Sequence, residues 1–265
     1  MLGTIIKIKT DIREIWESRN VLKALITKNL IGRYKNSILG FGWHFVMPAI
    51  YMIVYYLVFS QIRQNPIDNF WVYLASGLFA FHFMINNLVS GAGCIVSNSG
   101  MIKKMYFPRE IFVLSQVIST FVIMLIGYAI VLVALIISGY ELNAALLFSI
   151  IVFALMMLFA VGYVMIVSAL TVYVRDIQHF LNSISMAFFF LTPMYFTTES
   201  TTGMLNTIIW ANPFTYYIEA LHQIIYYGTA PDAILIAECA IISIVVASMG
   251  FALFSKLKGG FAERL

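Results

Sequence analysis

The sequence predicts an all-α membrane protein with six transmembrane helices, and three observations predict it. Of its 265 residues, 62% are hydrophobic and only 11% charged, where a soluble domain carries roughly 25% charged residues. So few charges leave most of the exterior to face lipid. Apolar runs of about 20 residues, the length that crosses a hydrocarbon core, recur along the chain. The basic residues fall on one side of those runs.

Region 1–38 precedes the first run and is charged, which argues against a cleavable signal peptide. Within 11–35, Ile12, Ile15, Trp16, Leu22, Leu25, Ile26 and Leu30 recur at three- and four-residue spacing with charges between them. That pattern is an N-terminal amphipathic interface helix, with Trp16 suited to the lipid boundary; packing against a soluble partner is the alternative. The six-helix domain spans 39–254, with runs at Leu39–Ser60, Phe70–Gly91, Ile111–Ser138, Ala144–Val174, Phe180–Phe196 and Ala233–Phe254. Pro48 and Pro193 fall inside two of these runs and invite kinks. The fourth run is long enough that it must tilt or project from the bilayer. Residues 255–265 read as a cytoplasmic C-terminal tail.

Of the 16 Lys and Arg residues, all but Arg63 lie inside if the N-terminus is cytoplasmic, so the positive-inside rule places both termini there. Asp68, Glu141, Glu199, Glu219, Asp232 and Glu238 fall in or near the outer half. None sits at a midplane beside a basic partner, as a proton-coupled carrier would need. The driving energy must then come from elsewhere.

Two connecting segments are unusual. The loop 98–110, NSGMIKKMYFPRE, is short and basic yet apolar through Met101, Ile102, Met105, Tyr106 and Phe107. A short amphipathic helix docking into a groove of another protein accounts for it, with Pro108 ending the helix; apolar residues dipping into lipid account for it equally well. The external stretch 197–232 holds a polar loop and two apolar pieces, Met204–Trp210 and Phe214–Tyr227, split by Asn212-Pro213. Asn as a cap and Pro at the first helical position start a helix there. Neither piece is long enough to span, so both read as short re-entrant or interfacial helices forming a lid.

Cys94 and Cys239 lie in apolar stretches as buried thiols. His44, His82, His179 and His222 show no metal spacing, Arg175–Asp176 reads as local charge pairing or capping, and no catalytic set supports an enzyme. Aromatics make up 15% of the chain. Most belong to packing and interfacial belts, but Tyr51, Tyr55 and Trp71 are candidates to line a conduit, Tyr51 and Tyr55 sharing a helix face. Arg33, with Lys35 and Lys28 behind it, is a candidate to grip phosphate; the alternative is that these residues simply anchor the first span.

Four segments in register with six runs, RYKNSILGFGWHFVMP at 33–48, IKKMYFPREI at 102–111, VYVRDI at 172–177 and NPFTYYIEALHQIIY at 212–226, resemble the transmembrane permease subunit of type-2 ABC exporters. These exporters move lipid-linked polysaccharides such as O antigen, capsule and teichoic acid across the bacterial inner membrane. The resemblance implies the ABC-2 type exporter fold and a homodimer with two separate ATPase subunits that hold ATP and Mg. The chain accordingly lacks a GxxxxGK[ST] pattern and binds no cofactor of its own. By position, Met101, Ile102, Lys103, Lys104, Met105, Tyr106 and Phe107 would form the coupling helix on the ATPase. Ser37 to Gly40 would join the interface helix to the first span, Arg33, Tyr34 and Lys35 would flank the lipid diphosphate on its way in, and Asn212 and Pro213 would form the external gate. Rival expectations are a small-molecule or drug exporter on the same scaffold, a polytopic glycosyltransferase or acyltransferase, and a passive channel.

Overall fold

The computed structural model describes residues 14–32, 37–62, 67–104, 107–140 and 143–265, and among the described residues there is no strand. The long helices are α1 (Arg19–Gly32), α2 (Trp43–Ile62), α3 (Phe70–Ala92), α4 (Glu110–Ile137), α5 (Phe148–Tyr173), α6 (Asp176–Leu191) and α9 (Ala233–Leu257); α7 (Gly203–Ala211) and α8 (Pro213–Leu221) are short. Four helical stretches among the described residues are long and apolar enough to cross a membrane: Phe70–Ala92, Glu110–Ile137, Ala144–Tyr173 and Ala233–Arg264. The first and fifth expected runs become α2, with a shorter apolar stretch at Phe45–Phe59, and α6, of 16 residues.

The bundle is organised around α3, whose Val72, Ala75, Leu78, Ala80 and Met84 have no accessible surface. Helices α2, α4, α5, α6 and α8 all pack against it. Lipid tails are as apolar as the side chains, so helices in a bilayer associate through close packing and hydrogen bonds. Both devices are present. The Tyr128 hydroxyl of α4 donates to Ser76 O at 2.7 Å and the Tyr163 hydroxyl of α5 donates to Met84 O at 2.8 Å. The Asn87 amide donates to Thr120 Oγ1 at 2.7 Å, tying α3 to α4. Helices α5 and α9 cross with backbones touching at Gly162 and Gly250, where a Cβ on Gly250 would fall on the Gly162 carbonyl oxygen. The outer faces of the same helices expose Ile150, Ile241 and Ile244, and α4 exposes Val133, as a lipid-facing surface does.

Proline positions refine the expected runs. Pro48 does lie inside α2. Pro193 does not lie inside a helix: α6 stops at Leu191, and Thr192 is extended at φ −106°, ψ 128°, because a proline's ring excludes the helical conformation from the residue before it. The segment expected at the interface holds a helix, α1, and that helix packs on α4. Leu25 is buried, and the Ser119 hydroxyl donates to Ile26 O at 3.5 Å. Trp16 and Ile31 stay exposed.

Candidate functional site

Two ends of the bundle and one side face bear the candidate residues. At the basic end, loop 98–110 holds a single helical turn, Ser99–Ile102, with Lys103 and Lys104 in a turn directly after it. The expected helix therefore ends before Lys103, and Pro108 does not terminate it. Pro108 instead opens the next helix, its carbonyl accepting from Ile111 N at 3.3 Å. Ile102 is buried in this chain, Met101 is half-buried, and the Phe107 ring lies 5.5 Å from that of Phe112. Among the described residues of the loop, Gly100 and the lysine pair are exposed. Met105 and Tyr106 lie outside the described residues. Lys28 Nζ donates to Asn98 Oδ1 at 2.9 Å, joining α1 to the loop's start.

Arg33, Tyr34 and Lys35 also lie outside the described residues. Residues 37–40 beyond them make a tight turn: Gly40 N donates to Ser37 O at 3.1 Å, and Gly40 sits at φ 47°, a conformation favouring glycine. Trp43 Nε1 donates to Ser37 Oγ at 2.7 Å and fixes the turn against the first residue of α2. Ile38 and Leu39 of the turn are exposed.

At the opposite end, Asn212 caps α8 as its sequence predicts, with Oδ1 accepting from Phe214 N at 3.0 Å and Pro213 opening the helix. The same side chain donates to Thr192 Oγ1 at 2.9 Å, so the corner between α7 and α8 is bound to the end of α6. Helices α7 and α8 have nine residues each, about 13 Å of rise, less than half a hydrocarbon core. A π-helical turn, His222–Tyr226, continues from α8. Its His222 ring stacks 3.9 Å from that of Tyr73, and the Tyr226 hydroxyl donates to Asp68 O at 2.8 Å. Burial, then the nearby Glu219 and Glu199 carboxylates, push the Tyr227 hydroxyl's pKa up, so it remains a neutral phenol.

Along the side face, aromatic rings form a ladder. Tyr51 and Tyr55 stack 6.2 Å apart, and each stacks on His82 of α3, at 4.8 and 6.3 Å. Tyr55 reaches Phe189 of α6 at 5.4 Å, and Phe59 stacks on Tyr195 at 4.2 Å. Trp71 is half-buried and makes no ring contact with this ladder among the described residues. Beside the ladder lies a cavity of about 170 Å³ lined by Trp43, Tyr51, His82, Asn86 and Thr120. His82 Nε2 is buried there without a hydrogen-bond partner. Sequence spacing assigns His82 no role, because its stacked partners Tyr51 and Tyr55 lie on another helix and leave no local pattern.

Next to this ladder, α6 exposes Asn182, Ser183, Met186 and Phe190. Asn182 Nδ2 and Ser183 Oγ bond back to Gln178 O and His179 O, which keeps polar groups tolerable on an otherwise apolar helix. Cys94 and Cys239 are buried free thiols, and among the described residues no cluster could hold a metal.

Comparison with known proteins gives this arrangement a family. The O-antigen export system permease protein RfbA of Klebsiella pneumoniae is 27% identical over 98% of this chain and 99% of its own length. A Myxococcus xanthus protein of the same name is 26% identical over 96% of this chain and 98% of its own length. The capsule polysaccharide export inner-membrane protein CtrC of Neisseria meningitidis serogroup A is 21% identical over 79% of this chain and 80% of its own length. A family profile for ABC-2 type transporters matches residues 20–226, most of the chain, and this chain belongs to the ABC-2 type transporter family.

Proposed function

We propose that this chain is the permease subunit of an ATP-driven exporter that moves lipid-linked polysaccharide, of the O-antigen, capsule or teichoic acid type, across the bacterial inner membrane. The observation that carries the reading is similarity along nearly the whole chain to permeases named for O-antigen export. In this reading α2, α3, α4, α5, α6 and α9 cross the bilayer, α7 and α8 form the external lid, and both termini are cytoplasmic. Two copies assemble with two ATPase subunits, which bind ATP and Mg; this chain contributes no nucleotide site.

The chemistry of the cargo fits the faces described. Sugars present apolar C–H faces that stack on rings and hydroxyls that bond to phenols, amides and imidazole. The ladder of Tyr51, Tyr55 and His82 offers both along one side of the chain. Many weak, similar contacts let a polymer slide, whereas one deep pocket would hold it. Arg33 and Lys35 supply cationic donors for the diphosphate, and the loop Met101 to Phe107 meets the ATPase, whose nucleotide cycle shifts the helices as rigid bodies. Asn212 couples the lid to α6 through Thr192.

Deleting the gene in the producing strain tests the cargo. Lipid-linked polysaccharide should accumulate on the cytoplasmic side and disappear from the surface; undiminished surface glycan sinks the reading.

A further inference from the structure

We propose that residues 258–265 are a latch that couples the ATPase-docking loop to the last span, with Glu110 and Lys258 as its positioning pair. The inference rests on the proposed docking role of loop 98–110. As sequence, this segment is a short tail bearing Lys258 and Arg264. In the structure it is folded back against the bundle.

Lys258 Nζ lies 2.6 Å from Glu110 Oε1, and the Glu110 side chain is 1% exposed. Glu110 is the first residue of α4 and comes just after Phe107 and Pro108, so it sits at the root of the docking loop. Beyond Lys258, Phe261 is fully buried. Its ring meets Phe254 of α9 edge-on at 5.4 Å and Tyr173 of α5 at 6.4 Å, while the Arg109 guanidinium lies 5.9 Å from its centroid. Arg264 lies 5.6 Å from the centre of the Tyr173 ring, and the Tyr173 hydroxyl donates to Leu257 O at 3.1 Å. One short segment therefore joins the loop root, the end of α5 and the end of α9.

Such a joint transmits force. Glu110 is the buried partner, so drawing Lys258 away leaves an uncompensated carboxylate in a poor solvent, and the loop root and Lys258 move together. Lys258 is the residue immediately after α9, and α9 cannot slide past α5 while the Gly162 and Gly250 backbones touch. A displacement delivered at the docking loop therefore carries α5 and α9 as one body. Ile102 and Glu14 line the same cavity of about 220 Å³ as Glu110 and Lys258, leaving room beside the pair for the loop to swing.

The test uses the full chain co-expressed with its ATPase subunit and reconstituted into proteoliposomes. Lipid-linked polysaccharide extracted from the producing cells serves as cargo. Three quantities are read: ATPase co-purification, ATP hydrolysis, and glycan moved per ATP. The neutral double variant Glu110→Gln/Lys258→Met removes both charges of the pair together and should fold and retain the ATPase. Its glycan moved per ATP should fall about fivefold or more, the scale of a typical coupling energy. The swap Glu110→Lys/Lys258→Glu restores the pair and should recover coupling. A neutral double variant that couples like the wild type overturns the latch, since a pair serving stability alone gives that result. A swap no better than the neutral double overturns it too. Met101→Asp separates the underlying reading. It should abolish ATPase co-purification, and an ATPase that stays bound and stimulated removes the docking role whatever the latch variants do.

Discussion

The α5–α9 pair and the α2–α6 face are both built from apolar helices, yet they are held in place by opposite means. Between α5 and α9 the backbones meet at Gly162 and Gly250, and Ser243 Oγ of α9 bonds to Leu155 O of α5 at 2.9 Å. Helix α2 is held differently. Ile53, Val54, Leu57 and Val58 are exposed, and its ties to α3, α6 and Tyr195 include the ring contacts of Tyr51, Tyr55 and Phe59. Because a bilayer gives apolar surfaces no reason to hide from it, only fit and hydrogen bonds fix a helix in place. The first pair is locked by that criterion. We read the α2–α6 face as the adjustable one, and its uncovered surface must meet lipid, water or another protein. A transporter needs both kinds of region: a stiff lever and a face that can change partners.

Breaking the stiff half should have the largest effect. Gly250→Leu puts a branched side chain where the Gly162 carbonyl already stands. The two backbones must part, and overpacking of this kind costs on the order of 3 kcal/mol or more. We expect loss of monodisperse protein in detergent, or a fall in unfolding midpoint well outside error. A midpoint equal to the wild type's means the crossing is not close-packed, and the contrast between the two regions disappears.

Sharpening the adjustable half is a matter of accessibility, an intermediate effect. With Cys94 and Cys239 buried, single cysteines can report which exposed faces meet water. Ser183→Cys on α6 should react in intact membranes with a charged, membrane-impermeant maleimide added to both sides. Ile150 of α5 is 65% exposed in the isolated chain but faces lipid, so Ile150→Cys should stay unlabelled. Equal labelling of the two means exposure alone, not an aqueous path, governs the α6 face.

Legibility from sequence divides along the same line between local and distant. The apolar runs, the Asn212 cap, the proline at the start of α8 and the buried cysteines depend on neighbours a few residues away, and composition or spacing reveals them. The latch reads as a tail because Lys258 and Glu110 are 148 residues apart. Nothing near either residue announces the other. Loop 98–110 reads equally as a docking helix or as apolar residues dipping into lipid, but Ile102 is buried in the fold and Phe107 packs beside Phe112, so tertiary burial accounts for these two side chains. The run through Phe196 overshoots because Pro193 ends α6 ahead of Thr192, a rule legible in the sequence but outweighed there by the apolar residues on either side.

The smallest effect probes the polar ties that centre the bundle on α3. Thr120→Val removes the hydroxyl that accepts from the Asn87 amide at 2.7 Å, at nearly constant volume. One Asn87 N–H keeps its bond to Phe83 O at 2.9 Å, while the other N–H and Asn87 Oδ1 lose the Thr120 hydroxyl. Interhelical hydrogen bonds in bilayers contribute only about 0.6 kcal/mol on average, because the separated helices find other partners. The unfolding midpoint should therefore drop by a degree or so, about a third of the change for an interaction of roughly 2 kcal/mol. Thr120 also lines the cavity beside Tyr51 and His82, and the variant loses a hydroxyl there. If the ladder guides glycan, export should fall more than that small stability change explains; export falling only in step with stability assigns Thr120 to the scaffold alone.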